Sequence, residues 1–274
     1  SYISWVEKKK MIYFIATLGF FILSLLFHEL GIVTPLLFLL YQWTIVDEPL
    51  SWRSLWNNIH YRLLFLPLPI YIAVRYLAQS HWLSGDYNYN LLKLPFNSLG
   101  NAIGYFLMTL LGPISLPFYQ ALRNILRQEW LVAAVVAIIA FLIIGYICRK
   151  SAKVMKKDEI KIIRFGTFFS LITLLPFLGL GNISSRYGYL ASVGIIFLLV
   201  FFIKKLYMYL VNSGRDIAIA GTAIAVSIFG FLQIVELQQV HSDWYEAGEK
   251  TRRFFVAVES VYDDYWITTP VEFH

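Results

Sequence analysis

The chain has 274 residues, 58% of them hydrophobic and 15% charged, with a mean hydropathy of +0.63, whereas a water-soluble domain carries roughly 25% charge. This composition excludes soluble nucleotide-binding folds and disordered chains, and a lone cysteine, Cys148, excludes an internal disulfide framework. The formal charge of +6 bears on orientation in a membrane rather than on nucleic acid, because in a membrane protein the sites of the basic residues matter more than their sum.

In chain order, Ser1 to Lys10 is polar and basic and reads as an internal junction rather than a signal peptide. The chain ends at Pro270-Val-Glu-Phe-His274 and is expected to be a piece of a longer protein. Continuous apolar runs follow at Met11 to Phe27, Leu30 to Val46, Leu63 to Ala78, Leu99 to Phe118, Leu131 to Ile147, Phe165 to Leu180, Tyr189 to Ile203 and Ile217 to Val235. Most cover about 16 to 20 residues, roughly 24 to 30 Å of helix, which is close to the thickness of a hydrocarbon core. No strand-like alternation competes, and a helix satisfies its own backbone where lipid cannot. The expected fold class is all-α, a polytopic transmembrane helical bundle of about seven full spans plus one re-entrant or broken helix. Residues 1–235 form the membrane domain, and residues 236–274 are an external polar tail that begins a truncated soluble segment.

Lysine and arginine counts set the expected orientation. The segment Arg149 to Arg164 carries seven and Lys204 to Arg215 carries three, so both belong on the cytoplasmic side. Lys8-Lys9-Lys10 and Asp47 to Arg62 join them, while His28-Glu29, Gln79 to Pro95 and Gly181 to Gly188 lie outside. These assignments are consistent only when Leu99 to Phe118 does not cross fully. Its second half contains Gly112, Pro113 and Pro117, which break helices and leave backbone groups that only a protein-lined site satisfies. The census is then 15 basic residues inside against eight outside. A proline-kinked ordinary span with a weakly biased amino terminus is the alternative.

Three places combine polar chemistry with membrane depth. His28 and Glu29 interrupt two apolar runs; they either cap a helical hairpin at headgroup level or present an imidazole and a carboxylate to a polar substrate. Arg186, flanked by Tyr187 and Tyr189, carries the sole charge of its external loop. It either anchors the interface or forks onto a phosphate. Arg75, near the outer end of its run, either snorkels or binds ligand. The histidines show no metal-ligand spacing, Asp263-Asp264 reads as a solvated face, and no phosphate-binding glycine loop or nucleophile elbow is present.

The order of these segments resembles the carboxy-terminal half of the GT-C glycosyltransferases, in the branch of the transmembrane and TPR-repeat O-mannosyltransferases and their bacterial relatives. FHELGIVTPLLFLLYQW, from Phe27 to Trp43, resembles that branch's SKE…PLLLLY block. LGNAIGYFLMTLLGPISLPFY is similar to its proline-containing Tyr…Tyr stretch, and LLPFLGLGNISSRYGYLASVGI to its LPxxG…DRYxYLPSxG signature. His241-Ser-Asp-Trp244 resembles the segment that leads into its external part. His28 stands where the family has lysine, Ser185 where it has aspartate and Ala191 where it has proline. The family's catalytic acidic residue lies in an amino-terminal half that this chain lacks.

The resemblance implies a membrane glycosyltransferase module that moves a sugar from a polyprenyl-phosphate donor to a protein or glycan acceptor on the extracytoplasmic side. It implies Arg186, Tyr187 and Tyr189 near the donor phosphate, with His28, Glu29 and Arg75 facing the cavity. No catalytic residue and no metal ligand is assigned, and whether this piece is an enzyme by itself stays open. It implies no cofactor in this piece; a divalent metal would belong to the complete protein's acidic loop. The expected partners are membrane lipid, the lipid-linked donor and the acceptor, with no nucleic acid. The expected location is a bacterial inner membrane, with the active side and the tail outside. A transporter or flippase for a lipid-linked or small anionic substrate is the reading from another class, since broken helices with intramembrane polar groups serve both.

Overall fold

In a computed structural model of the chain, residues 1–49, 51–78, 94–112, 115–128, 155–180 and 183–260 are described, together with single positions between 135 and 149. Every regular element among the described residues is helical, and none is a strand. The run from Leu131 to Ile147, the loop after Ala78 and the end of the tail lie largely or wholly outside the described residues.

Helix α1 (Tyr2–Lys8) turns at Lys9, in the left-handed conformation, into α2 (Met11–Phe27). Its aromatic side chains seal the start of α2, with Tyr2, Trp5, Phe14, Tyr61 and Leu64 forming one buried cluster. At the far end of α2, His28 leaves the helical backbone and its Nδ1 accepts the Leu30 N–H at 3.1 Å, which opens a short 3-10 turn, Glu29–Val33. Gly31 is needed there, because a Cβ would lie 2.8 Å from the Leu25 backbone nitrogen. The chain then returns as α3 (Thr34–Tyr41), with Pro35 in its first turn, where proline forfeits no hydrogen bond. A π turn, Gln42–Val46, extends it to Asp47 at φ 67°.

Three short helices follow, α4 (Trp52–Asn57), α5 (Ile59–Phe65) and α6 (Pro67–Leu77). The expected run from Leu63 to Ala78 is thus divided, because Pro67 starts a new helix directly after α5. Leu99 to Phe118 is divided too, into α7 (Leu94–Leu111) and α8 (Ser115–Gln128). Gly112, at φ +67°, makes the turn. Pro117, read in the sequence as a helix breaker, sits instead in the first turn of α8, where its missing N–H has no intrahelical role. The two helices run antiparallel: Tyr119 packs on Gly104 and bonds Asn101, and Arg123 reaches Asn97.

The centre of the molecule is a hairpin of α9 (Lys157–Leu178) and α10 (Ser185–Val211). Small residues set how closely the two approach. Ser170 Oγ donates across to the Ala191 carbonyl at 2.9 Å, and a Cβ on Gly194 would lie 2.6 Å from the Gly166 carbonyl oxygen. Such small-residue seams let helix backbones meet where lipid supplies no hydrophobic force between helices. Helix α11 (Arg215–Ser260) then runs unbroken for 46 residues, so the change to polar composition after Val235 falls inside a helix. Along the way Gln233 Nε2 donates to the Thr109 carbonyl at 3.2 Å, beside the α7–α8 turn.

Among the described residues, three helices are long and apolar enough to cross a membrane: Lys157–Leu178, Tyr187–Val211 and Arg215–Glu259. Met11–Phe27 and Leu30–Val46 are shorter apolar helices. Basic residues far apart in sequence collect at the open end of the α9–α10 hairpin. Lys161 pairs with Asp47 at 3.1 Å, Lys205 bonds Glu159, Arg164 lies over Trp43 and Lys9 over Trp5. At 1.5 Å per residue, the 22 residues of α9 separate that end from the hairpin turn by about 33 Å.

Two experiments test this packing. Gly194→Leu must push α9 and α10 apart and is expected to destabilise by about 1–3 kcal/mol, read as a lowered thermal midpoint of the purified protein. An unchanged midpoint would contradict the close seam. In a Cys148-free variant in sealed vesicles, cysteines at Lys156 and Tyr189 are expected to label from opposite faces. A cysteine at Asn124 is expected to label with Tyr189, since α7 and α8 return to one end; labelling with Lys156 instead would make Leu94 to Gln128 a full crossing.

Candidate functional site

The residues singled out in the sequence meet, in part, at the closed end of the α9–α10 hairpin. Pro176 lies in the last turn of α9 and lacks the N–H that would bond the carbonyl four residues earlier. The helix ends at Leu178 with its last carbonyls free of intrahelical partners. Asn101 of α7 adds donors there, beside the Leu180 N–H that reaches the Phe177 carbonyl at 3.2 Å. Its Nδ2 donates to the carbonyls of Phe177 (3.3 Å), Leu178 (2.9 Å) and Leu180 (2.9 Å), and its Oδ1 accepts from Tyr119 Oη at 3.1 Å. Asn101 is fully buried. Asn97, one turn earlier, reaches the Gly179 carbonyl at 3.4 Å and accepts from Arg123 Nη2 at 3.4 Å.

The chain then enters α10 through Ser184, whose N–H donates to Tyr105 Oη at 3.4 Å. Arg186 occupies the first turn of α10; its side chain lies outside the described residues, as do those of Glu29 and Ser185. Tyr187 is buried and stacked on Phe177, with ring centroids 4.2 Å apart and planes 13° from parallel. It belongs to a core with Tyr105, Met108, Leu174, Leu180 and Ala191. Tyr189 is 81% exposed. The two tyrosines beside Arg186 thus differ in surroundings: Tyr187 holds the first turn of α10 against α9, and Tyr189 stands at the surface.

Leu30 packs against the same core, which brings the His28-Glu29 turn to the Ser184–Tyr187 turn although more than 150 residues separate them in the chain. His28 is exposed, and because its Nδ1 accepts a backbone N–H, the neutral ring carries its proton on Nε2. Arg75 is placed differently. On α6, its Nη1 donates to Tyr71 Oη at 2.7 Å, and the guanidinium lies over the Tyr71 ring. Helix α6 packs chiefly on α5, away from the Tyr187 core.

An apolar groove of about 390 Å3 runs along α7 and α10, lined by Phe106, Leu110, Ile195, Leu199, Phe202 and Leu206 among others. Phe106 of the groove follows Tyr105, whose ring would lie 3.3 Å from a Cβ placed on Gly188. Among the described residues no cluster of three or more His, Cys, Asp or Glu is placed to hold a metal.

Sequence reasoning missed Asn97, Asn101, Tyr105 and Tyr119. The available signal was the pair Asn97 and Asn101, four residues apart and so on one face of an otherwise apolar helix. Polar side chains at that spacing inside an apolar run report a buried partner. No family model, curated protein or solved structure matches the chain.

Removing the clasp gives a direct test. Asn101→Leu removes the amide donors to the Leu178 and Leu180 carbonyls and the acceptor of the Tyr119 hydroxyl and is expected to cost more than about 2 kcal/mol, seen as a lower thermal midpoint. Tyr119→Phe removes one bond, leaves the amide donors in place and is expected to cost about 1 kcal/mol. Equal effects of the two substitutions would contradict the central role of the amide.

Proposed function

We propose that the chain is an integral membrane protein, a bundle of about seven spans and one re-entrant hairpin, that binds a polyprenyl-phosphate sugar and serves as the donor side of a glycosyltransferase. The observation that carries this reading is the apolar groove between α7 and α10 together with its position. It begins about nine residues, or roughly 14 Å of helix, beyond Arg186. An arginine in the first turn of α10 also lies beside the positive end of the helix dipole, where an anion is favoured. A lipid phosphate at Arg186 with its isoprenoid tail along the groove uses both features. During transfer the acceptor attacks the anomeric carbon while the phosphate leaves, and a fixed cation lowers the energy of that developing charge.

His28 and Glu29, brought to the same end by Leu30, line the approach to the sugar in this reading. Tyr187 positions the turn, and Tyr189 offers a surface ring at headgroup depth. Arg75 falls outside the site. The base that takes the acceptor's proton is assigned to no described residue in this reading. A second reading, a transporter or flippase, draws on the α7–α8 hairpin, because substrate sites of transporters are built from such interrupted helices.

Binding of a short polyprenyl phosphate to purified protein tests the proposal. Arg186→Ala is expected to weaken it ten- to a hundred-fold, corresponding to about 1.5–3 kcal/mol for a charge-assisted bond. Arg186→Lys loses less, keeping charge without the planar fork. Leu199→Trp, which fills the groove, weakens binding as well, and Arg75→Ala does not. Parental affinity in Arg186→Ala removes the phosphate assignment. Movement of the lipid across a proteoliposome bilayer without sugar transfer by the complete protein favours the transporter.

A further inference from the structure

A second cavity, of about 280 Å3, opens at the opposite end of the molecule, between α1, the π turn after α3 and the start of α5. Trp5, Lys9, Gln42, Glu48, His60 and Tyr61 line it. Gln42 is 2% exposed, and its Oε1 has no hydrogen-bond partner, alone in this respect among the buried side-chain polar atoms described. Buried polar atoms are paired in nearly all folded proteins, so an orphan beside a cavity needs an explanation.

The neighbouring hydroxyls do not supply the missing donor. Tyr2 Oη donates to the Phe38 carbonyl at 3.3 Å. Glu48, whose charge acts on the Tyr61 phenol, presents a carboxylate that only accepts when ionised. Burial, and then the charge of Glu48, holds the Tyr61 phenol above its usual range; burial does the same for Tyr2. Both phenols therefore keep their protons, and neither donates to the Gln42 amide oxygen, which is left over.

Two other lining groups also present acceptors. Asn58 Oδ1 takes the His60 backbone N–H at 3.0 Å and lies 3.1 Å from His60 Nδ1. In the neutral ring the proton is thus on Nδ1, and Nε2 is an acceptor. Glu48 is exposed on the cavity's outer side and forms no salt bridge among the described residues. One group has the opposite character: Lys9, whose ammonium lies over the Trp5 ring at 5.5 Å and which sits at the rim.

We propose that this cavity binds an aminoethyl phosphate group, with its primary ammonium donating to Gln42 Oε1 and Glu48 and its phosphate directed to Lys9. The ammonium brings three N–H donors to a site that holds an unpaired buried amide oxygen and a carboxylate. The phosphate answers the cation at the rim. The cavity equals roughly nine liquid-water volumes, enough for so compact a group. It is about 33 Å, the length of α9, from the Arg186 turn, so the inference stands whether or not that turn binds a lipid phosphate.

Aminoethyl phosphate occurs as a free metabolite and as the headgroup of ethanolamine phospholipids, and two arms of one experiment separate them. Purified protein in detergent is titrated calorimetrically with phosphoethanolamine and with phosphocholine. In parallel, its thermal midpoint is followed in phosphatidylcholine nanodiscs with increasing phosphatidylethanolamine. Binding of the soluble compound assigns the free source; a midpoint rise confined to the nanodiscs assigns the lipid. In whichever arm responds, the choline compound, which has no N–H, is expected to bind at least ten-fold more weakly. Glu48→Gln is expected to reduce the response at least ten-fold and Lys9→Ala several-fold, with the ligand-free midpoint unchanged. Gln42 is buried and its replacement risks the fold, so the exposed Glu48 is the decisive position. Equal binding of the choline compound, an unaltered response in Glu48→Gln, or no response in either arm overturns the proposal.

Discussion

The bond set around Asn101 holds together the part of the molecule on which the rest is arranged. A helix that ends inside an apolar environment leaves carbonyls that neither water nor lipid can satisfy, and Pro176 weakens the last turn of α9 further. One amide from α7 answers three of those carbonyls and is itself fixed by the Tyr119 hydroxyl. Through that residue the α7–α8 hairpin and the end of α9 become one body. The Ser184 bond to Tyr105 and the packing of Tyr187 on Tyr105 and Met108 then set the turn that carries Arg186 against α7.

The seam between α9 and α10 follows a second constraint of the same kind. Gly166, Ser170, Ala191 and Gly194 bring the two backbones into contact, and the Ser170 hydroxyl replaces side-chain bulk with a hydrogen bond across the seam. This fixes the distance between two helices of bilayer length and leaves most of their outer surfaces apolar and exposed. Such surfaces are unfavourable in water and ordinary in lipid. The long α11 shows the same character over Ile217 to Val235 before its composition turns polar.

Charge and polarity are divided between the two ends of this frame. The open end of the hairpin gathers Lys9, Lys161, Arg164 and Lys205 around Asp47, Glu48 and Glu159, and it contains the polar cavity at Gln42. The closed end gathers asparagines, tyrosines and the His28 and Ser184 turns around a mostly apolar core. A groove without polar lining connects the closed end toward the middle. The two ends therefore suit different chemistries, a polar pocket with a carboxylate at one and a mostly apolar core beside an apolar groove at the other.

Helix content and the extent of α2 were legible in the amino-acid sequence, because an apolar run of 17 residues bounded by Lys10 and His28 has one low-energy conformation in lipid. The break near Gly112 was legible as well, since only glycine takes the positive φ of that turn without strain. Pro117 was misread there: position relative to the new helix start, not proline itself, decides whether a helix is broken. The pairing of Asn101 with the end of α9, the joining of the Leu30 turn to Tyr187, and the convergence of Trp5, Gln42 and His60 on one cavity were decided by tertiary structure alone. Each depends on side chains far apart in the chain that meet only after helices choose their neighbours. Hydropathy records how deep a residue wants to sit, and it carries no record of which helix will lie beside it.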